Sequence, residues 1–140
     1  MQAVGITVDE SLIVDGRYRD TDSYTETMRL MTRPDRPTAI LAASNLMAIG
    51  ALQAIQELGY TCPDDVSLAT IDDIPWSAVI KPKLTMVLQD IETIAKVSAE
   101  YLLDRVEAQA HREIAARETI LIPRLSVGNS TAQPSKSAAL

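Results

Sequence analysis

Side chains that could hold a polyhydroxyl ligand recur along the chain. Asn45 and Gln89 carry amides that donate and accept hydrogen bonds at once, and the carboxylate of Asp72 can accept from two adjacent hydroxyls. Tyr18 and Trp76 present flat apolar surfaces with a polar edge, which suit the C–H face of a pyranose or a base. These five residue types indicate a sugar or nucleoside site.

Each of these residues also has a purely structural interpretation. Asn45 could equally be a helix N-cap, and Asp72 with its neighbour could end a strand and cap the next turn. Gln89 could be a solvated side chain, Trp76 a core or interface residue, and Tyr18 carries no signal of its own. Taken alone, the residues give only weak support for a ligand-binding lobe.

The hydropathy pattern predicts the elements that must position these side chains. Strands are expected over residues 11–14, 38–43, 66–71, 84–88 and 119–127, and helices over 24–31, 46–58 and a long segment capped by Asp90. This alternation predicts an α/β lobe with a mostly parallel sheet flanked by helices. Ligands of such sheets bind beyond the carboxyl ends of the strands, where Asn45, Asp72 and Gln89 fall.

Composition excludes several classes of protein. The 140 residues suit one domain or one lobe, and 46% of them are hydrophobic. The net charge of −6 argues against a free-standing nucleic-acid binder. The single cysteine permits no internal disulfide. No targeting segment and no membrane-spanning run is visible in the sequence, so we expect a cytoplasmic protein.

Motifs of catalysis are missing from the sequence. It holds no nucleophile elbow, no phosphate-binding loop and no His/Cys cluster with metal spacing, so we expect no enzyme activity, no metal and no cofactor. His111 lies in a polar stretch and is expected to be solvent-exposed, and Cys62 is expected to be an unreactive, partly buried thiol. A small α/β enzyme that uses Asp72 and Asp73 stays an alternative.

Ordered motifs resemble the LacI/GalR family of transcriptional regulators. They cover roughly Leu12 to Thr131, and they are PTAILAASNLMAIGA (37–51), LGYTCPDDVSL (58–68), IDDIPW (71–76), PKLTMV (82–87) and IPRLSV (122–127). The resemblance implies a periplasmic-binding-protein-like core of type I. In that family an N-terminal helix-turn-helix precedes two lobes, and residues 1–131 correspond to the C-terminal lobe only. Residues 132–140 are expected to be a disordered tail.

The resemblance also implies a role for particular residues. The family's effector contacts fall on Asn45, Asp72 and Gln89 and, less securely, on Tyr18, while Trp76 falls beside the cleft mouth or at a dimer seam. The implied effector is a sugar or sugar derivative, and DNA would be bound only through a domain absent from this sequence. The chain departs from the family pattern at Ser23, Leu46, Thr70, Lys83 and Met86. Since only one of the family's two lobes corresponds to this sequence, half of the cleft is missing, and we expect weak or no ligand affinity from the lobe alone.

The helix predicted over residues 46–58 is apolar almost all round. One face should pack on the sheet, and the remaining face predicts a homodimer through Met47, Ala51, Ala54 and Ile55. Two further alternatives remain at this point, namely the lobe of a transport-type sugar-binding protein and a dimerisation module with a non-functional pocket.

Overall fold

The computed structural model describes residue 5 and residues 7–73, 78–107 and 115–134. After a short 3-10 helix at Glu10–Leu12, the elements are α1 (Asp20–Met31), β1 (Ala39–Ala42), α2 (Asn45–Glu57), β2 (Ser67–Ile71), β3 (Thr85–Leu88), α3 (Ile91–Glu107) and β4 (Arg124–Ser126). The chain divides into two compact units, Met1–Val87 with Leu125–Leu140 and Leu88–Arg124. No helix in the described ranges is long and apolar enough to cross a membrane.

The four strands form one sheet in the order β1-β2-β3-β4. β1 and β2 are parallel, with Ala39 opposite Ser67 and Ala42 opposite Thr70. β2 and β3 are also parallel, with Ile71 opposite Val87. The predicted α/β lobe with its parallel strands is therefore confirmed, and the carboxyl ends of β1 and β2 lie at the same edge of the sheet.

Two helices, α1 and α2, pack closely against each other in the larger unit. A Cβ atom on Gly50 of α2 would collide with the carbonyl oxygen of Asp20 and lie 2.9 Å from the backbone nitrogen of Tyr24, so only glycine permits this approach. The hydroxyl of Ser23 donates to the carbonyl of Met47 at 2.7 Å and fixes the crossing. The face of α2 that holds Ala51, Ala54 and Ile55 is thus covered within the chain, while Leu46 is 49% exposed.

This packing corrects the residues predicted for a dimer interface. Ala51, Ala54 and Ile55 are at most 1% exposed, because α1 and the sheet enclose them. A side chain without accessible surface cannot contact a second copy. Of the four residues predicted, only Met47 keeps partial exposure, and dimerisation itself stays a prediction.

The predicted strand over residues 11–14 is wrong. The carboxylate of Asp9 accepts from the backbone N–H of Ser11 at 2.9 Å and closes the 3-10 turn at Glu10–Leu12. Ile13 then has extended backbone dihedrals but belongs to no strand. β1 confirms the strand predicted within residues 38–43, and it lies at the edge of the sheet, where Leu41 is 70% exposed.

The segment after β4 is fastened to the sheet. The Ser130 hydroxyl donates to the carbonyl of Leu68 and accepts from the backbone N–H of Thr85 at 2.8 Å. The Ser67 hydroxyl bonds to both backbone groups of Ala132, at 3.0 and 3.2 Å. Ordered chain therefore reaches into the predicted tail at Ala132, while residues 135–140 lie outside the described residues.

The smaller unit contains α3 and the segment that follows it. Asp90 caps the helix as predicted, and its carboxylate accepts from the backbone N–H and the hydroxyl of Thr93 at 3.0 and 2.7 Å. Arg117 bonds to Asp104 at 2.7 Å and lies over the ring of Tyr101, 4.2 Å from its centroid. No residue of α3 is buried.

Candidate functional site

The junction between β1 and α2 is built by two consecutive polar residues. Ser44 is the helix N-cap, because its hydroxyl accepts from the backbone N–H of Met47 at 3.3 Å. Asn45 is the first helical residue, and its Oδ1 accepts from the backbone N–H of Leu46 at 2.7 Å. The capping role considered for Asn45 therefore belongs to Ser44, and the preference of serine for this position was the signal for it.

The Asn45 amide also links this junction to the end of β2. Its Nδ2 donates to the backbone carbonyl of Asp73 at 2.9 Å. On the β2 side, the hydroxyl of Thr70 donates to the carbonyl of Ser44 at 3.1 Å. The structure thus brings together the two junctions that the sequence singled out.

Asp72 occupies an unusual backbone conformation directly after β2. Its φ is +69°, in the left-handed region, and its N–H donates to the carbonyl of Val87 at 2.9 Å. Aspartate tolerates this region better than most residues, and non-glycine residues held there are enriched at functional sites. The turn fixes Asp72 at the edge where the parallel strands end.

Tyr18 lies in a turn beside the first turn of α2. Arg17 and Tyr18 both have positive φ, at 48° and 55°, and the Tyr18 side chain is 69% exposed. Gly16 packs so closely on the first turn of α2 that a Cβ there would be 2.7 Å from the Cε of Met47. The backbone two residues before Tyr18 therefore contacts the first turn of α2, the helix that begins at Asn45.

The roles of two further predicted contact residues stay untested. Gln89 follows β3 and belongs to the smaller unit, Leu88–Arg124. Trp76 lies outside the described residues, as does His111. Their proposed contacts stay predictions.

Groups suited to metal binding or nucleophilic chemistry do not gather in the described part of the chain. No cluster of three or more His, Cys, Asp or Glu side chains that could hold a metal ion occurs there. The Cys62 sulfur donates to the carbonyl of Ser130 at 3.4 Å, and burial raises the pKa of the thiol. A thiol with a raised pKa is less ionised and a poorer nucleophile.

The sequence matches a known family model and known regulators. Residues 1–131 match the family described as periplasmic binding protein-like domain. The HTH-type transcriptional repressor PurR of Escherichia coli strain SE11 is 34% identical over 106 residues, which are 76% of this chain and 31% of the relative. The chain thus spans about a third of the length of the curated relatives that it matches.

Solved structures resemble the fold over most of the chain. A putative LacI-family transcriptional regulator from Sanguibacter keddieii superposes with a TM-score of 0.84 and 31% identity, over 94% of this chain and 48% of that one. A LacI-family regulator from Enterococcus faecium, solved with bound ribose, gives a TM-score of 0.71 and 30% identity, over 84% of this chain and 42% of that one.

Proposed function

The chain belongs to the LacI/GalR family of regulators with a periplasmic-binding-protein-like core, and we propose that it supplies one wall of a small-molecule effector site. The proposed effector is a sugar or sugar derivative. In a longer, two-lobed protein, binding would favour one arrangement of the lobes and thereby change the affinity for DNA. We further propose that this regulation takes place in the cytoplasm.

The hydrogen bond between Asn45 and Asp73 is the observation that carries this proposal. It joins the carboxyl ends of β1 and β2, which are adjacent parallel strands. Open α/β sheets bind ligands at this edge. The bond places an amide beside the turn that carries the Asp72 carboxylate.

The chemistry of this edge suits adjacent hydroxyl groups. An amide side chain has two N–H donors and an oxygen with two lone pairs. Asn45 uses one N–H for Asp73 and one lone pair for Leu46, so a second of each could bond to a ligand. The Asp72 carboxylate would accept from hydroxyls, and hydrogen bonds to a charged group are about twice as strong as neutral ones. The exposed ring of Tyr18 would cover the C–H face of a sugar, and Gln89 and Trp76 are the remaining proposed contacts.

One wall leaves much of a bound sugar in water. Tight small-molecule sites enclose most of the ligand surface, so we expect this chain alone to bind ribose with a Kd of about 1 mM or weaker. That expectation determines which experiment can detect the site.

Saturation-transfer difference NMR with D-ribose tests the proposal, because it detects weak binding. Asp72→Asn keeps the shape of the side chain and its tolerance of positive φ but removes the charge, and we expect it to weaken binding about fivefold. Asp73→Asn is the matched control, because it removes the neighbouring charge and keeps the backbone carbonyl that accepts from Asn45. Equal affinities of the two variants, or no ribose signal from the wild-type chain, would contradict the proposal.

A further inference from the structure

An open cavity with a positively charged lining lies just before β3, at the edge of the sheet opposite to the proposed effector site. Its volume is about 730 Å³, which is within the range of small-molecule sites. No carboxylate is among its described lining residues, although the chain as a whole has a net charge of −6. The described lining consists of Ala78, Ile80, Lys81, Pro82, Lys83 and Asn129.

Two lysine side chains supply the charge of this cavity. Lys81 and Lys83 both line it, on either side of Pro82. Within the described part of the chain, neither ammonium group takes part in an ion pair. Because like charges that share one cavity repel each other, an anion that contacts both would lower the electrostatic energy of the pair.

The segment after β4 places a third polar side chain beside the lysines. The backbone N–H of Asn129 donates to the carbonyl of Lys83 at 2.8 Å, and the N–H of Gly128 donates to the hydroxyl of Thr85 at 3.1 Å. A Cβ atom on Gly128 would collide with the carbonyl oxygen of Lys83, so the two backbones are in direct contact. The backbone that carries the Asn129 amide is therefore fixed beside Lys83, and an amide can donate two hydrogen bonds.

We propose that this cavity binds a phosphate monoester whose carbon body is small and partly apolar. At neutral pH such an ester carries close to two negative charges and has three strong acceptor oxygens. These match two ammonium groups, which bind phosphate as point charges, and the Asn129 amide. The apolar side chains of Ala78, Ile80 and Pro82 would contact the carbon body. A neutral sugar would leave both lysine charges uncompensated, so the ligand differs in class from the proposed effector.

The exposure of the lysines determines how tightly the ester binds. Both side chains are exposed, so water and salt screen their attraction for an anion. We expect a Kd of about 1 mM in about 50 mM salt, and binding weaker by about threefold in about 300 mM salt. Phenyl phosphate is the probe, because its ring supplies the apolar body. Inorganic phosphate supplies the anion alone and should bind about threefold more weakly than phenyl phosphate.

Correlation spectra of the ¹⁵N-labelled full chain, titrated with phenyl phosphate at about pH 7.5, locate the site. The backbone amides of Lys81, Lys83, Gly128 and Asn129 should shift along curves that share one Kd. The amide of Asn45, at the opposite edge of the sheet, should not shift.

Two lysine variants separate this site from a general response to charge. Lys83→Gln removes one of the two charges that line the cavity, and we expect about fivefold weaker binding. Lys96→Gln is the matched control, because Lys96 is an exposed lysine of α3 in the smaller unit, and its affinity should equal that of the wild-type chain. Both substitutions change the net charge equally, and both positions are exposed, so the fold is kept.

Three results would overturn the proposal. They are the absence of shifts at the cavity, equal affinities of Lys83→Gln and Lys96→Gln, and equal affinities of inorganic phosphate and phenyl phosphate. The last result would show that the apolar side chains of the cavity contribute nothing. None of these results bears on ribose binding at Asp72, so this proposal and the proposed function can fail separately.

Discussion

Ser130 shows how one buried hydroxyl connects two strands. It is fully buried and bonds to Leu68 of β2 and Thr85 of β3, while its own carbonyl accepts from the N–H of Leu68 at 2.9 Å. A single serine thus satisfies backbone groups on both neighbouring strands. Buried backbone groups that lose such a partner are costly, because water cannot replace it.

Replacing Ser130 by alanine should therefore destabilise the chain by about 1–3 kcal/mol. The backbone N–H of Thr85 would lose its hydrogen bond to the Ser130 hydroxyl, and urea unfolding followed by circular dichroism measures the effect. Thr131→Ala is the matched control, because Thr131 makes one exposed contact with the Thr85 hydroxyl; we expect a change under about 0.5 kcal/mol. Equal losses in both variants would contradict this assignment.

The carboxylate of Asp90 makes the stability of the first turn of α3 depend on pH. Hydrogen bonds from the Thr93 hydroxyl and N–H lower the pKa of Asp90 below its usual value of 3.8. A carboxyl whose pKa is lower in the folded than in the unfolded state stabilises the fold at pH values above its ordinary pKa. This stabilisation is lost as the pH falls through the pKa of the folded state. The first turn of α3 should therefore fray below pH 3.8.

Backbone amide chemical shifts of Thr93 and Ile94, followed from pH 6 to about pH 2, measure this fraying. In Asp90→Asn the helix should keep its cap, because asparagine caps as well as aspartate, and the pH dependence should disappear. An unchanged titration in Asp90→Asn would show that another carboxyl controls the helix start.

Residue roles were predictable where they depend on local chemistry. Asp90 as a cap follows from sequence, because its partners Thr93 and Ile94 are three and four residues away. Ser130 could not be found in this way, because its acceptor on Leu68 is 62 residues distant. A serine near the end of the chain gives no sign of such a partner.

At the scale of elements, the crossing of α1 and α2 depends on Gly50. Alanine usually stabilises a helix interior by about 0.5–1 kcal/mol relative to glycine. Here the added methyl would collide with the carbonyl of Asp20, so we expect Gly50→Ala to destabilise the chain by about 1–3 kcal/mol. Thermal unfolding compares Gly50→Ala with the control Gln53→Ala, which alters an exposed position of the same helix. The control should change the free energy of unfolding by less than about 0.5 kcal/mol. A stabilised Gly50→Ala would disprove the close crossing.

Periodicity predicted the helices and the parallel strands, but it could not assign their partners. The second apolar face of α2 suggested another subunit, whereas α1 covers it through residues such as Leu30 and Met31. Residues 11–14 have strand composition but form no strand, because a strand exists only where a neighbouring backbone meets it. Which segments meet is a property of the tertiary fold.

At the scale of the molecule, charge limits what this chain can bind. Its net charge of −6 repels the negatively charged phosphate backbone of DNA. We predict that fluorescence anisotropy with labelled duplex DNA detects no binding beyond background, and that adding about 100 mM salt changes nothing. A salt-sensitive, sequence-selective signal would contradict the assignment of the chain to an effector-binding lobe.

The candidate site was predictable in part, because fold topology alone selects strand ends. Asn45 and Asp72 were singled out from the sequence, and the Asn45–Asp73 bond connects their junctions. The left-handed backbone of Asp72 was not predictable, since no glycine marks the turn. The roles of Gln89 and Trp76 stay predictions.

The central claim is the proposal that a sugar effector binds where β1 and β2 end. A ¹⁵N–¹H correlation spectrum of the labelled chain, titrated with D-ribose, tests it residue by residue. The account predicts shifts concentrated at Asn45, Leu46, Asp72 and Asp73, with none at Ser67 and Thr85, which begin their strands at the opposite edge. Shifts centred on that opposite edge, or none at any ribose concentration, would contradict it.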